Sequence, residues 1–499
     1  MSKNQLPIVQ AKPVRQKSYF DDHTIEDLYA KIQEIYLSDN RPWVIGYSGG
    51  KDSTATLQSI WHALSALDRD QLHKKVFVIS SDTYVETPIV VDHITNNIEF
   101  VNQAAAEQGL PFEGHKVVPS TQDTFWVCLL GRGYPAPTTR FRWCTDRMKI
   151  RPADKFILDR VTEFGEVVMV LGARRGESAS RDQVLKAREV KGSELRRHST
   201  LPNSYVYAPV EYFTTDDVWA YLLQVKNPWG GDNQVLMGMY RSASADGECP
   251  LVVDKSTPSC GNSRFGCWVC PVVDRDHSME SMVDNGEDWM EPLLEFQREL
   301  ATHKDPKVKR KLREIKGRNG KVRTVKAKKD QKKGARNWKK QEGDLMHGPY
   351  KFDVRKRLLR QLLEAQKNIR ENGPDPTTCL IREDELQVIR YMWRTELQDW
   401  EDTVPKIFNE IFGEDEIVWD DEDVTTLKIN DARLLQDICE AHDVPARLVG
   451  KLVDLERDMQ GMTKRAGIFN RIDKIFGEDW LEEKAVAEMF AEMEKAEIE

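Results

Sequence analysis

The sequence predicts an α/β fold built on an open, mainly parallel twisted sheet, and three observations carry that expectation. Apolar runs of strand length recur at Trp43-Val44-Ile45-Gly46-Tyr47, Lys75-Val76-Phe77-Val78-Ile79-Ser80 and Glu166-Val167-Val168-Met169-Val170-Leu171-Gly172. They are continuous rather than alternating, as strands covered on both faces should be. A helical pattern, Thr54 to Leu67, separates the first two, with Ala55, Leu57, Ile60, Trp61, Leu64 and Leu67 roughly on one face. Strand, helix, strand is the βαβ unit, and a parallel sheet follows from it.

Between the first strand and its helix stands Ser48-Gly49-Gly50-Lys51-Asp52-Ser53. A Gly-rich turn there aims backbone N–H groups and a helix N-terminus at an anion. The glycines let the backbone approach a phosphate where a Cβ would collide. The spacing is not G-x-x-x-x-G-K-[ST], so this is no Walker A loop. It resembles SGGxDS, the pyrophosphate loop of enzymes that cut ATP between its α and β phosphates.

The remaining elements follow in order. A helix is expected over Thr24 to Tyr36 and a third strand at His115-Lys116-Val117-Val118. Asp82-Thr83 ends the second strand, with Glu86 just beyond; a carboxylate there suits the Mg2+ that accompanies nucleotide phosphates. After the strand at 166–172 come Arg174, Arg175 and Arg181, which suit polyphosphate. Ligands on such sheets bind beyond the carboxyl ends of the strands.

Residues 1–226 are therefore expected to form the ATP-binding domain. Residues 227–280 form an irregular Cys-rich segment, 281–345 a helix and a basic stretch, and 346–499 a helical domain. Helices are expected at 281–301, 355–371, 384–399, 431–442, 449–459 and 480–493.

Eight cysteines in 499 residues, without an apolar leader, argue against a disulfide scaffold. Three of them, Cys260, Cys267 and Cys270, fall within eleven residues; Cys144 stands far upstream and Cys249 nearby. Four thiolates can bind zinc or an iron–sulfur cluster, and one triplet plus a remote Cys suits the cluster better. Cys249 reads equally as ligand, sulfur relay or buried residue. Isolated Cys128, Cys379 and Cys439 are expected to be buried. No stretch of about 18 apolar residues is present, so no membrane is implied and the cytoplasm is the default. The net charge is −9, yet 304–340 carries eighteen Lys/Arg against three acids, a stretch suited to nucleic-acid phosphates.

Ser48 to Ser53, Asp82-Thr83, Gly172-Ala173-Arg174, Glu177-Ser178 and Pro209 to Trp219 together resemble the phosphoadenosine phosphosulfate reductase family. Phe141-Arg142-Trp143-Cys144-Thr145 and the Cys249 to Pro271 segment resemble its DNA sulfur modification branch. The resemblance implies an adenine-nucleotide α-hydrolase type of fold and an ATP pyrophosphatase that forms AMP and pyrophosphate. It implies a [4Fe–4S] cluster and a sulfurtransferase role on the DNA backbone, with a cysteine desulfurase as sulfur donor and DndD- and DndE-type partners. By position, Ser48, Gly49, Gly50, Lys51, Asp52, Ser53, Asp82, Arg174 and Arg175 would hold ATP. Cys144, Cys260, Cys267 and Cys270 would be the cluster ligands. Lys51, Asp52 and Cys249 would act in catalysis. The Glu-Cys-Gly ending of sulfate-reducing relatives is absent, which disfavours sulfonucleotide reduction; a tRNA sulfurtransferase is the other alternative.

Overall fold

The computed structural model describes residues 17–139, 141–175, 194–198, 200–242, 266–273, 275–322, 346–414, 416–419, 427, 429–460, 465–478 and 480. Cys249, Cys260, Glu177, Ser178, Arg181, residues 323–340 of the basic stretch and the helix expected at 480–493 (Trp480 apart) lie outside the described residues. The chain divides into two compact units. One comprises Met1–Asp82, Thr87–Val117 and Arg151–Phe265; the other comprises Thr83–Glu86, Val118–Ile150 and Gly266–Glu499.

The first unit holds a six-stranded sheet: β1 Trp43–Gly46, β2 Val76–Ser81, β3 Phe112–Val117, β4 Val167–Leu171, β5 Arg196–Arg197 and β6 Ser204–Tyr207. The order is β3-β2-β1-β4-β6-β5, parallel throughout except for the β5–β6 pair. β1 lies at the centre of the sheet between β2 and β4, and its side chains alternate between two cores, one on each face. Trp43 and Ile45 join α2 residues such as Ile60, Trp61 and Leu64 in one core. Val44 joins Phe77, Ile79, Ile157 and Val167 in the other. Fully burying each such side chain contributes roughly 1.5–3 kcal/mol. β3 begins three residues before the expected strand, because its Glu113, Gly114 and His115 break the apolar run that would mark it.

Helices cover the sheet: α1 Ile25–Leu37, α2 Lys51–Ser65, α3 Pro88–Gln108 and α4 Arg151–Phe164, then α5 Thr215–Gln224 and α6 Asn233–Ser242. α2 starts at Lys51 rather than Thr54, so half of the Ser48–Ser53 loop lies in its first turn. Proline at the start of α3 and left-handed Gly109 at its end (φ +62°) set that helix's limits.

Among its described residues the second unit is helical: α7 His277–Asp284, α8 Glu291–Thr302, α9 Pro306–Leu312, α10 Phe352–Asn372, α11 Glu383–Glu396, α12 Thr403–Phe412, α13 Ile429–Ala441, α14 Ala446–Met459 and α15 Ile468–Phe476. The single helix expected at 281–301 is broken at Asn285-Gly286, where Gly286 takes φ +111°. Buried aromatic rings knit this unit together. Trp126 packs on Trp268 and Phe296, and its Nε1–H donates to the Leu380 carbonyl at 2.6 Å. Trp393 Nε1–H donates to the Leu130 carbonyl at 2.8 Å. No described helix is long and apolar enough to cross a membrane.

Candidate functional site

β1 and β4 are neighbours whose connections leave the sheet in opposite directions, so their carboxyl ends flank a topological switch point, where open α/β sheets bind ligands. The Ser48–Gly50 turn follows β1, and Gly172–Arg175 follows β4. Gly49 sits at φ +71°, and a Cβ there would also come within 2.8 Å of Ile94 Cγ1. Gly50 is the N-cap of α2 and supplies no side-chain hydrogen bond to it. Gly50 thus gives the first N–H groups of α2 no cap from its own side chain, the arrangement an anion uses.

The serines shape the turn. Ser48 N–H donates to Ser53 Oγ at 3.2 Å, and Ser53 Oγ–H donates to the Gly50 carbonyl at 3.0 Å. Lys51 Nζ lies 3.3 Å from Asp52 Oδ2 and 5.3 Å from the Tyr240 ring centre. Tyr240, on α6, was invisible to sequence reading. Its hydroxyl accepts the Lys51 N–H at 3.4 Å and lies 3.3 Å from where a Cβ on Gly50 would stand.

Both arginines after β4 are engaged by carboxylates. Arg174, 6% exposed, donates from Nε to Asp52 Oδ1 at 2.6 Å and from Nη1 to the Phe213 carbonyl at 3.3 Å. Arg175 Nε donates to Glu211 Oε1 at 2.7 Å, and Arg196 Nη1 donates to the other oxygen of that buried carboxylate at 2.7 Å. Gly172 lets the two backbones meet, since a Cβ there would fall 2.8 Å from the Asp52 carbonyl oxygen. Asp82 follows β2 at the same edge of the sheet, with Lys116 Nζ 3.7 Å from its Oδ2.

The described thiols belong to the second unit. Cys144 precedes a π-helical turn, Thr145–Ile150. Cys267 forms an antiparallel bridge with Glu86, and Trp268 N–H donates to the Val85 carbonyl at 2.9 Å. A tight turn, Cys270 N–H to the Cys267 carbonyl at 3.0 Å, brings the C-x-x-C pair together. Around Cys267 Sγ stand Thr83 Oγ1 at 3.5 Å and Glu86 Oε1 at 3.9 Å, with Lys149 Nζ 3.5 Å from that same Glu86 oxygen. Burial, and then the Glu86 carboxylate, push the Cys267 thiol up to about 12. Burial also raises Cys144, and Cys270 raises it further, so these thiols feel one another.

The six described cysteines are free. No three described His, Cys, Asp or Glu residues close on one point as a metal site would. Cys144, Cys267 and Cys270 nevertheless supply the soft donors an iron–sulfur cluster takes. Cys128 and Cys439 are buried as expected. Cys379 corrects its expectation: it is exposed, with Sγ 3.1 Å from the Ile381 carbonyl, because Leu380 and Ile381 take the buried positions beside it.

Residues 42–231 match the family described as the phosphoadenosine phosphosulfate reductase domain. The chain carries such a domain. Residues 430–477, spanning α13 to α15, match a second family, described as a small protein found in certain Dnd DNA modification systems. An uncharacterized protein of Methanocaldococcus jannaschii is 24% identical over 243 residues, 49% of this chain and 39% of that protein. The match spans about two fifths of that relative's length.

Among solved structures, the Candida glabrata FMN adenylyltransferase with FAD and inorganic pyrophosphate is 12% identical. It covers 46% of this chain and 65% of its own, with a TM-score of 0.26. The U34-tRNA thiolase NcsA of Methanococcus maripaludis, with its [4Fe–4S] cluster, is also 12% identical. It covers 57% and 80%, with a TM-score of 0.26. Scores this low mark partial likeness only.

Proposed function

We propose that this chain is a DndC-type ATP pyrophosphatase and sulfurtransferase of DNA phosphorothioation. The observation that carries the reading is the joint presence, in one chain, of a reductase-type nucleotide domain and a C-terminal module of a Dnd-system family. The first supports nucleotide chemistry and sulfur transfer; the second supports DNA as the object of it.

The chemistry follows from what each residue can offer. A phosphate oxygen is a very poor leaving group, and transfer of AMP onto it makes it a good one. The amides at the start of α2 and Lys51 bind the β and γ phosphates of ATP and take up charge as pyrophosphate departs. Asp52, held by Arg174, fixes Lys51 in the turn. A DNA phosphate oxygen attacks the α phosphorus, and the α–β bridge breaks. A sulfur nucleophile then attacks the DNA phosphorus, and AMP leaves with the original oxygen. Mg2+ would accompany the phosphates, with Asp82 as the carboxylate to hold it. Cys144, Cys267 and Cys270, with Cys260, would hold a [4Fe–4S] cluster. Such a cluster binds or relays sulfur and electrons when present. Cys249 is the thiol left for sulfur delivery. As a persulfide formed by a cysteine desulfurase, it would offer its outer sulfur to the DNA phosphorus. A second thiol would then attack the Cys249 sulfur, releasing the phosphorothioate and leaving a disulfide, with DndD- and DndE-type proteins completing the machinery.

The test is AMP and pyrophosphate release from ATP, with duplex DNA or tRNA as acceptor. The reading expects release stimulated by DNA and abolished in Lys51→Ala. Stimulation by tRNA alone would replace DNA by RNA as substrate. Turnover of adenylyl sulfate with a thioredoxin-type donor would mark a sulfonucleotide reductase instead.

A further inference from the structure

We propose that Phe141 and Arg142 form a DNA-holding rim beside the thiols, with an unstacked base on the Phe141 ring and its phosphate on Arg142. The inference rests on the DNA reading above and concerns the second unit alone.

The backbone around this pair is held firmly. Thr138 and Phe141 close a turn: each N–H donates to the other's carbonyl, at 3.2 and 3.0 Å, and Phe141 N–H also reaches Thr138 Oγ1 at 3.2 Å. The Phe141 side chain is nonetheless 48% exposed. Its aromatic neighbours pack with one another instead: Trp143 stacks on Phe125 at 5.3 Å and meets Tyr134 at 5.6 Å. A single exposed Phe needs no explanation by itself. What singles this one out is the next residue. Arg142 is exposed and has no ion-pair or hydrogen-bond partner among the described residues, whereas Arg147 nearby is paired with Asp123. An aromatic face beside a free guanidinium is the chemistry that takes one nucleotide, by base stacking and a phosphate contact.

Position supplies the second argument. Phe141 is three residues from Cys144, so their Cα atoms are at most about 10 Å apart. That is the length of about three nucleotides of one strand. Sulfur can reach a phosphorus only if the backbone passes the thiols, and a duplex with every base stacked offers no ring to Phe141. The rim therefore suits a strand whose base has been drawn out at the modified position. The basic stretch at 304–340 has Trp338 as its one aromatic, so the stacking has to come from elsewhere.

Fluorescence anisotropy of the full chain tests this, with a paired duplex, the same duplex carrying one unpaired nucleotide, and tRNA. Phe141→Ala is expected to weaken binding to the unpaired-nucleotide duplex by about 5- to 150-fold, the measured range for one stacked base. Phe141→Trp should restore it. Arg142→Gln should reduce the slope of log affinity against log salt by about 0.7 to 0.9, one phosphate contact. Thermal midpoints equal to the parent's separate these losses from unfolding. Unchanged affinity in Phe141→Ala with an unchanged salt slope in Arg142→Gln would overturn the rim. So would loss in Phe141→Ala that Trp does not restore. A parent that binds neither duplex, or prefers tRNA, would overturn the DNA reading itself.

Discussion

Arg174 Nε donates to Asp52 Oδ1 at 2.6 Å, and the other oxygen of that carboxylate lies 3.3 Å from Lys51 Nζ. This joins the loop after β4 to the first turn of α2, which follows β1. The cation that would meet phosphate is thereby tied to the neighbouring strand. Removing one partner leaves a largely buried guanidinium without its carboxylate, a loss of about 3 kcal/mol. Asp52→Asn should lower unfolding free energy in urea by that order and cut pyrophosphate release by about 100-fold or more. Arg174→Lys should lose part of both, because an ammonium lacks the planar fork. Parent-like release in both variants would show that the pair is incidental.

Gly172 is needed for space and Gly49 for conformation as well. An alanine at Gly172 would put its Cβ 2.8 Å from the Asp52 carbonyl oxygen, where no side chain can swing aside. An alanine at Gly49 meets Ile94 and must also hold φ +71°. Each substitution is expected to cost about 1–3 kcal/mol. Calorimetry should show a lower melting temperature for both, and ATP protection against melting should weaken. An unchanged midpoint in Gly172→Ala would mean the two backbones separate freely.

Asp217 offers a pH test. Burial pushes its carboxyl up, but hydrogen bonds from Ser18 Oγ, Thr214 N and Tyr19 N outweigh that and leave it below the usual range. A depressed acid contributes stability that is present above its unfolded value, about 3.9, and is lost as pH falls through the lower folded value. Asp217→Asn should therefore be less stable than the parent by about 1–2 kcal/mol at pH 6, with the gap narrowing towards pH 3. A gap of constant size across that range would show that the charge contributes nothing.

Cysteine substitutions separate ligands from bystanders. Cys144→Ser, Cys267→Ser and Cys270→Ser should each lose iron and broad visible absorbance in protein purified without oxygen. Cys379→Ser and Cys439→Ser should keep both. Stoichiometric zinc in colourless parent protein would remove the cluster from the account.

Much of the candidate site's local geometry was legible because its residues fix the turn they sit in. Ser48 to Ser53 dictates a turn into a helix wherever it follows a strand, and β1, β2 and β4 announce themselves as apolar runs. β3 did not, since Glu113, Gly114, His115 and Lys116 interrupt its buried ends, Phe112 and Val117. Tyr240 left no trace, because its role depends on how α6 packs on the loop rather than on any neighbour in sequence. Nor does any motif mark Thr83–Glu86 as packing with the chain beyond Gly266. That contact places Glu86 beside Cys267. Long-range pairings of this kind are set by packing, and single-residue spacing does not encode them. Cys379 shows the same limit, because its exposure is decided by which neighbours fill the core.

The central claim is that this chain places sulfur on the DNA backbone, and nuclease-digested DNA from cells carrying it tests that most directly. Mass spectrometry should find phosphorothioate-linked dinucleotides when the parent chain is present with its partners, and none when Lys51→Ala replaces it. Phosphorothioate at parent levels with Lys51→Ala, or none with the parent chain, would contradict the account.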